Sequence, residues 1–452
     1  MRHTALVAAT ILLFCSGQGQ PQGMPQGRGD LSDEMPFFFY EAINLIASDS
    51  TQSRVDIQYR VDSQFFVNVK NTDKAFPHPF IRRGEVYLEL LDNDGVSKAR
   101  KIDRVEIGEQ STGNVTGPKT WYQGVASFVV APGEYSITFE ISDLESERKF
   151  LDRNRKVVAQ NFSGDKLQAS TPMFIVPFDK KGITPQMYGG NVLYGTGAAL
   201  YVQLFSKKLS REPVRVEYAV SQQEIFLRDS KEFSSDTLHS VSLLPEASLS
   251  LAGTDTAPAY SLAPSDRATT GALIIPLDAE KWRLRPFTIS LKLKQGTLET
   301  TLEQKFRMVW PDMPLSLRDV DFALDALRHI TSEDERDSLQ SGSKETRLQH
   351  LEEFWATKDP TPHTNYNEMM VEYYRRVDHA TRAFSSMKSP DGYKSDRGRI
   401  YILHGPPTKS ARTLDPNEGY NEVWTYEKLN KRFVFADRSK SGNYVLVSTQ
   451  TL

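Results

Sequence analysis

Gly392-Tyr393-Lys394-Ser395-Asp396-Arg397-Gly398 belongs to the most informative part of the sequence, the last third of the chain. Pro390 stands just before it, and an apolar run at 399–403 follows it. Ser and Asp side chains commonly accept backbone N–H groups in turns. We therefore predict a turn at Ser395 and Asp396, a strand over 399–403, and an ion pair between Arg397 and a helix carboxylate such as Glu372.

Helical periodicity fills the region before this stretch. One amphipathic stripe recurs at steps of three and four residues: Tyr366, Met370, Tyr373, Val377, Ala380 and Phe384. Ser316-x-x-Asp319 stands where a helix cap is expected, and Ser332-x-x-Glu335 matches a capping box. Trp310-Pro311 precedes these helices and is expected to end a β-region. After the stretch, short strands are predicted over 422–426, 432–436 and 444–447, so residues 316–452 are expected to form an α+β domain.

Several other motifs accompany the stretch in a fixed order. They are Phe354-Trp355, Asp359-Pro360, Asn367-Glu368, Glu372-Tyr373-Tyr374-Arg375-Arg376-Val377, Gly405-Pro406-Pro407 and Glu422-Val423-Trp424. Over roughly residues 316–449 this order resembles the bacterial GWxTD domain, a family named for the signature Gly-Trp-x-Thr-Asp. Tyr393 and Ser395 stand where the signature has Trp and Thr, and they keep an amphipathic ring and a hydroxyl.

The resemblance implies an exported bacterial protein with β-rich regions before this domain, and it assigns no catalytic residue. The motif and its neighbours supply candidate binding residues instead: Trp355, Asp359, Glu372, Arg375, Gly392, Tyr393, Ser395, Asp396, Arg397, His404, Glu422 and Trp424. Helical or alternating spacing of the aromatic members is typical of a core. We therefore interpret the signature as a structural clasp rather than a catalytic centre.

The first two thirds of the chain carry the alternation of half-buried strands. Residues 55–61 and 86–90 alternate apolar and polar side chains, and Asp92-Asn93-Asp94-Gly95 is a turn signal. A second series begins at 214 and continues to 306, with a Ser-, Ala- and Pro-rich segment from about 228 to 270 that is expected to be a long hairpin or loop. These patterns predict tandem antiparallel β-sandwich (immunoglobulin-like) regions over 36–165 and 172–310, followed by the α+β GWxTD domain.

The N-terminus is typical of an export signal. Arg2 precedes the apolar run from Ala5 to Phe14, which is too short to span a bilayer, and small residues follow it. We predict a signal peptide over 1–17 and a flexible tether over 18–35, hence a periplasmic or secreted protein without a transmembrane span in the mature chain. Lipid attachment at Cys15 is the alternative, which Phe14 disfavours.

Composition and motif searches exclude several chemistries. A formal charge of −3 without a basic stripe gives no sign of nucleic-acid binding. The eight histidines include no His-x3-His pair, so a zinc protease site is not supported. We expect neither a metal site nor another cofactor. His404 is the best general-base candidate by position, but no nucleophile or acid stands near it at motif spacing.

We therefore expect an exported, non-enzymatic interaction or structural protein that binds a protein or cell-envelope partner through its GWxTD domain and β-modules. One alternative is an envelope hydrolase or carbohydrate-binding enzyme that uses Asp396, Arg397, His404 and Glu422 in a cleft. Another is a component of a secretion or surface assembly. Convergence of His404, Asp396 and Glu422 in an open pocket would favour the enzyme.

Overall fold

The computed structural model of the chain describes residues 37–49, 51–110, 120–178, 182–223, 230–245, 248–254, 257–264, 267–386, 390–415 and 419–452. The predicted signal peptide and tether, with Cys15, lie outside the described residues. Strands dominate the described residues, and the α-helices described all follow residue 319.

The first β-region contains two sheets that enclose one core. Its strands are β1 (Phe38–Ile46), β2 (Ser53–Asp62), β3 (Asn68–Lys70), β4 (Phe80–Leu91), β5 (Ser97–Glu109), β6 (Trp121–Val130), β7 (Gly133–Asp143), β8 (Lys149–Asp152) and β9 (Lys156–Ala159). One sheet has the order β1-β2-β6; the other has β3-β4-β7-β8, with β5 beside β4 and β9 beside β7. All pairings in both sheets are antiparallel, and the core draws on both, as alternation along β2 and β4 predicts.

The second β-region also builds its core from two sheets. Its strands are β10 (Gln168–Ala169), β11 (Met173–Ile175), β12 (Val192–Leu193), β13 (Ala198–Phe205), β14 (Val214–Gln223), β15 (Ser230–Val241), β16 (Ser248–Thr254), β17 (Ala257–Ala263), β18 (Thr270–Leu277), β19 (Pro286–Gln295) and β20 (Leu298–Val309). One sheet joins β10, β11 and β18 to β13; the other has the order β12-β20-β19-β14-β15. The short β12 runs parallel to β20, and the hairpin expected between 228 and 270 is formed by β16 and β17.

Strand β2 is buried on both faces, which alternation alone does not predict. Its apolar face, which includes Val55 and Tyr59, lies in the core of the first region. Its polar face is covered as well, because Asp56 and Gln58 are almost fully buried. A separate apolar cluster joins strands of the first region to β11, β13 and β17 of the second. The two β-regions therefore share an extensive interface.

A polar network centred on Asp56 satisfies the buried groups of this interface. Arg54 donates through Nε and Nη2 to the two carboxylate oxygens of Asp56 at 2.7 Å each. Tyr260 of β17 donates its hydroxyl to Asp56 at 3.0 Å, and Gln58 donates to the Tyr260 hydroxyl at 3.0 Å. Arg54 also donates to the carbonyl of Leu249. Bidentate Arg–carboxylate pairs of this kind tolerate burial when the remaining donors are satisfied.

The C-terminal unit packs helices against one sheet. Its elements are α1 (Val320–Ala326), α2 (Glu333–Leu339), α3 (Lys344–Ala356), α4 (Glu368–Ala383), α5 (Asp396–His404), β21 (Lys409–Asp415), β22 (Gly419–Tyr426), β23 (Lys431–Asp437) and β24 (Val445–Thr451). The sheet is an antiparallel meander in the order β21-β22-β23-β24. The three predicted strands are confirmed, and β21 precedes them.

The strand predicted over 399–403 is wrong, because these residues belong to α5. Ser395 caps this helix by accepting the Gly398 N–H at 3.0 Å, so the predicted turn residue is in fact an N-cap. Gly405 ends the helix at φ +77°, a conformation that glycine adopts without strain. The predicted cap near Ser316 is also displaced: Asp319 caps α1, whereas Ser332 caps α2 as expected.

Aromatic rings join the second β-region to the C-terminal unit. Trp310, just after β20, lies 5.2 Å from the Tyr194 ring and 5.7 Å from the Tyr366 ring, measured between centroids. The Asn365 N–H donates to the carbonyl of Glu280 at 2.9 Å. The predicted boundary at Trp310-Pro311 is therefore also a packed junction.

The interface network predicts a large loss of stability in Asp56→Ala. The substitution removes the carboxylate that accepts from Arg54, whose side chain is only 15% exposed, and from buried Tyr260. Breaking a buried pair in this way costs about 3–5 kcal/mol. The measurement is the free energy of unfolding of the full chain in urea.

Asp165→Ala is the matched control, because the Lys208–Asp165 pair is exposed on both sides. Exposed pairs contribute little, so this variant is expected to unfold like the parent chain. Equal effects of the two substitutions would contradict a structural role of the buried network.

Candidate functional site

An open groove of about 480 Å³ lies on the C-terminal unit where α5 ends against α4. Tyr373 and Ile402 form part of its apolar lining, together with Ile330. Met369 and Leu403 border it and remain 52% and 37% exposed. Large apolar side chains grouped around an open groove are typical of an interaction surface.

The groove exists because α5 is shorter than α4 and runs antiparallel to it. Gly392, just before α5, packs on Ala380 near the end of α4. Near the other end of α5, Arg376 donates to the carbonyl of Ile402 at 3.3 Å. The chain then leaves α4 at Gly405, so α5 does not extend along the first two turns of α4.

Charged residues of α4 line the polar side of the groove. Glu372 and Arg376 form an (i, i+4) ion pair at 2.7 Å. Glu368, one turn earlier, accepts a hydrogen bond from the Thr361 hydroxyl at 2.7 Å. The groove thus combines an apolar floor with two carboxylates and one guanidinium.

Gly392 of the signature allows the closest approach between the signature and α4. A Cβ placed there would lie 2.4 Å from the carbonyl oxygen of Ala380 and 2.5 Å from the backbone nitrogen of Ser385. Real Cβ atoms do not tolerate such distances from backbone atoms. The glycine is therefore required for packing rather than for flexibility alone.

Tyr393 ties the signature to α1. Its hydroxyl donates to Asp325 at 2.5 Å, and its ring meets Phe322 edge-on at 5.0 Å. Burial, helped by Asp325, raises the pKa of Tyr393 to about 12. Burial opposes ionisation of Asp325, but hydrogen bonds from Tyr393, Arg328 and Lys394 outweigh it and lower the pKa of that carboxyl to about 2.

Ser395 and Asp396 fix the start of α5. The Ser395 hydroxyl donates to the carbonyl of Gly392 at 2.6 Å while it caps the helix. Asp396 accepts the N–H of Leu446 on β24 at 2.9 Å, so its carboxylate does accept a backbone donor, although on a distant strand. The two side chains connect α5 to the signature turn and to the sheet.

Arg397 pairs with Glu422 rather than with the expected Glu372. The two side chains are buried, and Nη1 of Arg397 lies 3.0 Å from the Glu422 carboxylate. The guanidinium also faces the rings of Phe384 and Tyr444, at 5.1 and 4.1 Å from their centroids. Burial opposes ionisation of Glu422, but a Trp424 hydrogen bond and the charge of Arg397 keep its pKa below the usual range.

The three residues of the enzyme alternative do not converge. Asp396 and His404 stand at opposite ends of α5, about 12 Å apart along its axis. Glu422 is buried in the ion pair with Arg397. The His404 ring stacks on Phe433 with centroids 5.7 Å apart. These positions do not supply the geometry on which the enzyme alternative depends.

The other predicted residues are spread through the unit. Trp355 is buried and donates to the Tyr374 hydroxyl at 3.3 Å. Asp359 accepts the Thr361 N–H at 2.8 Å, and Arg375 lies 3.7 Å from Asp312. Of the twelve predicted residues, Glu372 alone lines the groove.

Sequence reasoning missed Met369, Leu403 and Arg376 of the groove. Met369 lies next to the amphipathic stripe of α4 but not on it. An apolar side chain on the polar face of the predicted helix was the sequence signal that could have identified it as a surface contact residue. Leu403 was assigned to a strand and could not be placed beside α4.

The described residues contain neither a cluster of metal ligands nor a membrane-spanning helix. No group of three or more His, Cys, Asp or Glu side chains there has metal-binding geometry. No helix in the described ranges combines the length and apolar character needed to cross a bilayer.

A protein-family model described as the GWxTD domain matches residues 294–451. The match begins within β19 and includes β20, earlier than the position near 316 at which the motif resemblance begins. A search of curated protein sequences finds no match.

Similar solved structures share little sequence with the chain. Red sea bream transglutaminase is 8% identical, with 60% of this chain and 31% of that chain covered and a TM-score of 0.17. Escherichia coli alpha-2-macroglobulin activated by porcine elastase is 10% identical, with coverages of 61% and 24% and a TM-score of 0.16. The chain thus spans less than a third of the length of either protein. TM-scores this low carry no conclusion about fold or function.

The contacts of the signature predict that Tyr393→Ala and Asp396→Ala both lower the melting temperature. Truncating buried Tyr393 costs about 3–5 kcal/mol. Removing the Asp396 acceptor from the Leu446 N–H costs about 1–3 kcal/mol. His404→Ala, at a partly exposed ring, is expected to lower the melting temperature less. Unchanged melting at 393 and 396 with lost partner binding would instead make the signature the functional site.

We predict that the C-terminal unit loses stability in acid, because three histidines around α4 and α5 have lowered pKa values. Burial lowers the pKa of His329, His379 and His404 below the usual value of histidine. The unfolded chain therefore takes up protons near pH 6.5 that the folded domain resists, so the free energy of unfolding falls as the pH drops below that value.

His379→Phe tests this, because the His379 ring stacks on Tyr401 at 4.3 Å and a phenyl ring can occupy the same place without titrating. The free energy of unfolding of this variant is expected to fall less between about pH 6.5 and 5 than that of the parent chain. Identical slopes for the two proteins would contradict the prediction.

Proposed function

The chain belongs to the GWxTD domain-containing proteins, and on this premise we propose that it is an exported, non-enzymatic interaction protein of the bacterial cell envelope. It holds a protein partner in the groove between α4 and the end of α5. The two β-regions act as immunoglobulin-like sandwich modules that carry the GWxTD domain away from the N-terminal tether. Export rests on Arg2 and the Ala5–Phe14 run, which have the order of a signal peptide.

The groove is the observation that carries the proposal. Met369 and Leu403 expose apolar surface beside a concave floor, and exposed clusters of this kind are rare unless they bind something. A partner side chain that covers both residues removes their apolar surface from water, at about 25 cal/mol per Å².

The side chains of the signature are engaged in contacts within the domain, so we place partner binding in the groove rather than at the signature. Gly392, Tyr393, Ser395 and Asp396 each contact another element of the domain, and Arg397 is buried against Glu422. The signature therefore shapes the groove indirectly, because it fixes where α5 begins and so where it ends on α4. This division of roles matches the interpretation of the signature as a clasp.

Photo-crosslinking from the groove tests the proposal. A benzophenone amino acid replaces Met369 in the full chain, which is produced in its bacterium and irradiated in intact cells. We expect a discrete adduct in the extracytoplasmic fraction, and Leu403→Glu is expected to abolish it by placing a charge on the apolar rim.

Leu429 is the matched control position, because it is an exposed leucine of the same domain in the turn between β22 and β23. The same probe there is expected to give no such adduct. Equal adducts from 369 and 429, or an adduct that persists in Leu403→Glu, would refute the groove as the binding site. An adduct confined to the cytoplasm would refute the envelope location.

A further inference from the structure

Glu41 places a carboxyl group in the contact between the two β-regions. It lies on the same face of β1 as Ile43, a member of the apolar cluster that the two regions share. The segment between β11 and β12 packs on this part of β1, because a Cβ placed on Gly189 would lie 3.2 Å from the carbonyl oxygen of Tyr40. Glu41 keeps a small accessible surface, so protons from the solvent can reach it in the interface.

Two amides lie beside this carboxyl group, one from each region. Gln58 of β2 is directly opposite Glu41 in the antiparallel register and therefore shares its face. Gln304 of β20 approaches from the second region. A Cβ placed on Gly190 would lie 3.2 Å from Oε2 of Glu41 and 3.7 Å from Nε2 of Gln304. The Oε1 atoms of both glutamines are buried, and no described residue donates a hydrogen bond to either.

The protonation state of Glu41 determines whether these amide oxygens have a donor beside them. A carboxylate only accepts hydrogen bonds, whereas a neutral carboxyl group has an O–H to donate. Buried acceptors without a donor cost free energy, so the interface favours the neutral form of Glu41. Burial raises the pKa of Glu41 to about 7, although the Gly190 N–H and the charge of Arg155 favour the ionised form.

The charged groups on the outer sides of Glu41 have other partners or point away. Arg155 lies 3.8 Å from Asp152 and donates to a backbone carbonyl of β1 at 2.5 Å. Glu303 and Lys305 flank the amide of β20 in sequence, but they are exposed on the opposite face of that strand. Arg155 is therefore the charge that acts on the carboxyl group, and it acts from a position fixed by other contacts.

The charged groups on β2 are held in the same way. Asp56 and Arg60 lie two residues to either side of Gln58 and share its face. Asp56 is paired with Arg54 at 2.7 Å. The guanidinium of Arg60 lies 4.1 Å from the centroid of the Tyr188 ring.

We propose that Glu41 makes the contact between the two β-regions sensitive to protons, so that the contact is closed when the carboxyl group is protonated and looser when it is ionised. Protonated, the O–H donates to an amide oxygen of the interface. Ionised, the carboxylate can only accept, the amide oxygens lack a donor, and β1 opens locally from the second region more often. This inference is independent of the groove, which lies in the C-terminal unit.

The direction of the pH dependence follows from the raised pKa of Glu41. The stabilisation is complete below about 4.5, the ordinary pKa of this carboxyl group, and is lost as the pH rises through about 7. The dependence is opposite in sign to that expected from the histidines of the C-terminal unit, so a measurement confined to the β-regions separates the two.

Hydrogen exchange of the purified full chain at pH 5 and pH 8 tests the proposal. Once the intrinsic effect of pH on exchange is corrected for, the amides of β1 and of residues 183–193 are expected to be less protected at pH 8. The expected loss of protection in the parent chain is about 50- to 100-fold. Glu41→Gln cannot ionise and has the shape of the neutral carboxyl group, so it is expected to be protected equally at both pH values.

Glu134→Gln is the matched control, because Glu134 is an exposed carboxylate of β7 in the same region, paired with exposed Lys156. This variant is expected to keep the pH dependence of the parent chain. Infrared difference spectra of the parent chain between pH 6 and 8 give a second measurement, which needs no variant. They are expected to show a carboxyl group that loses its proton in this range.

Three results would overturn the proposal. They are equal protection of the parent chain at pH 5 and 8, a Glu41→Gln variant that keeps the pH dependence of Glu134→Gln, and infrared spectra of the parent chain without a protonated carboxyl group above pH 6.

Discussion

The buried carboxylate of Asp56 is the constraint on which the arrangement of the β-regions depends. An ionised carboxylate inside a protein is stable only when its oxygens are fully hydrogen-bonded. Arg54 and Ser127 supply part of that requirement from the first region, and Tyr260 adds a donor from the second region. Separation of the two regions removes the Tyr260 hydroxyl from Asp56. It also exposes to water the apolar residues of the first region that the second region covers. The pair of regions therefore behaves as one body, to which Trp310 and Tyr194 fasten the C-terminal unit.

Within the C-terminal unit, the signature acts as a positioning device. Gly392 brings the turn onto the end of α4, Tyr393 reaches α1, and Asp396 reaches β24. One short segment thus determines the relative placement of a helix pair and a sheet. The groove is a consequence of that placement, since it occupies the part of α4 that α5 is too short to cover.

The sequence predicted elements better than it predicted what lies between them. Val55 to Val61 was correctly predicted as a strand, but alternation cannot show that a second sheet covers the polar face, because a covered polar face and a solvated one have the same pattern. Ile400 and Ile402 alternate as in a strand, and this hid the helix that Ser395 caps. The decisive signals were the cap and Gly405, which are local. The predicted Arg397–Glu372 ion pair was wrong because of the same error in secondary structure. Arg397 lies in helix α5, and from there its side chain reaches Glu422.

The Asp56–Tyr260 hydrogen bond also imposes an order on biosynthesis. The two residues are separated by 204 positions in the chain. At an elongation rate of about 5–20 residues per second, the Tyr260 codon is translated about 10–40 s after that of Asp56, so Asp56 lacks the Tyr260 donor for that time. During that time the charged face of β2 can remain hydrated, whereas Ile43 and Leu45 of the neighbouring strand β1 lack the apolar residues of the second region that cover them in the folded chain. The nascent first region is thus an incompletely buried intermediate until the β17 segment emerges, and any factor that shields its apolar face acts within that interval.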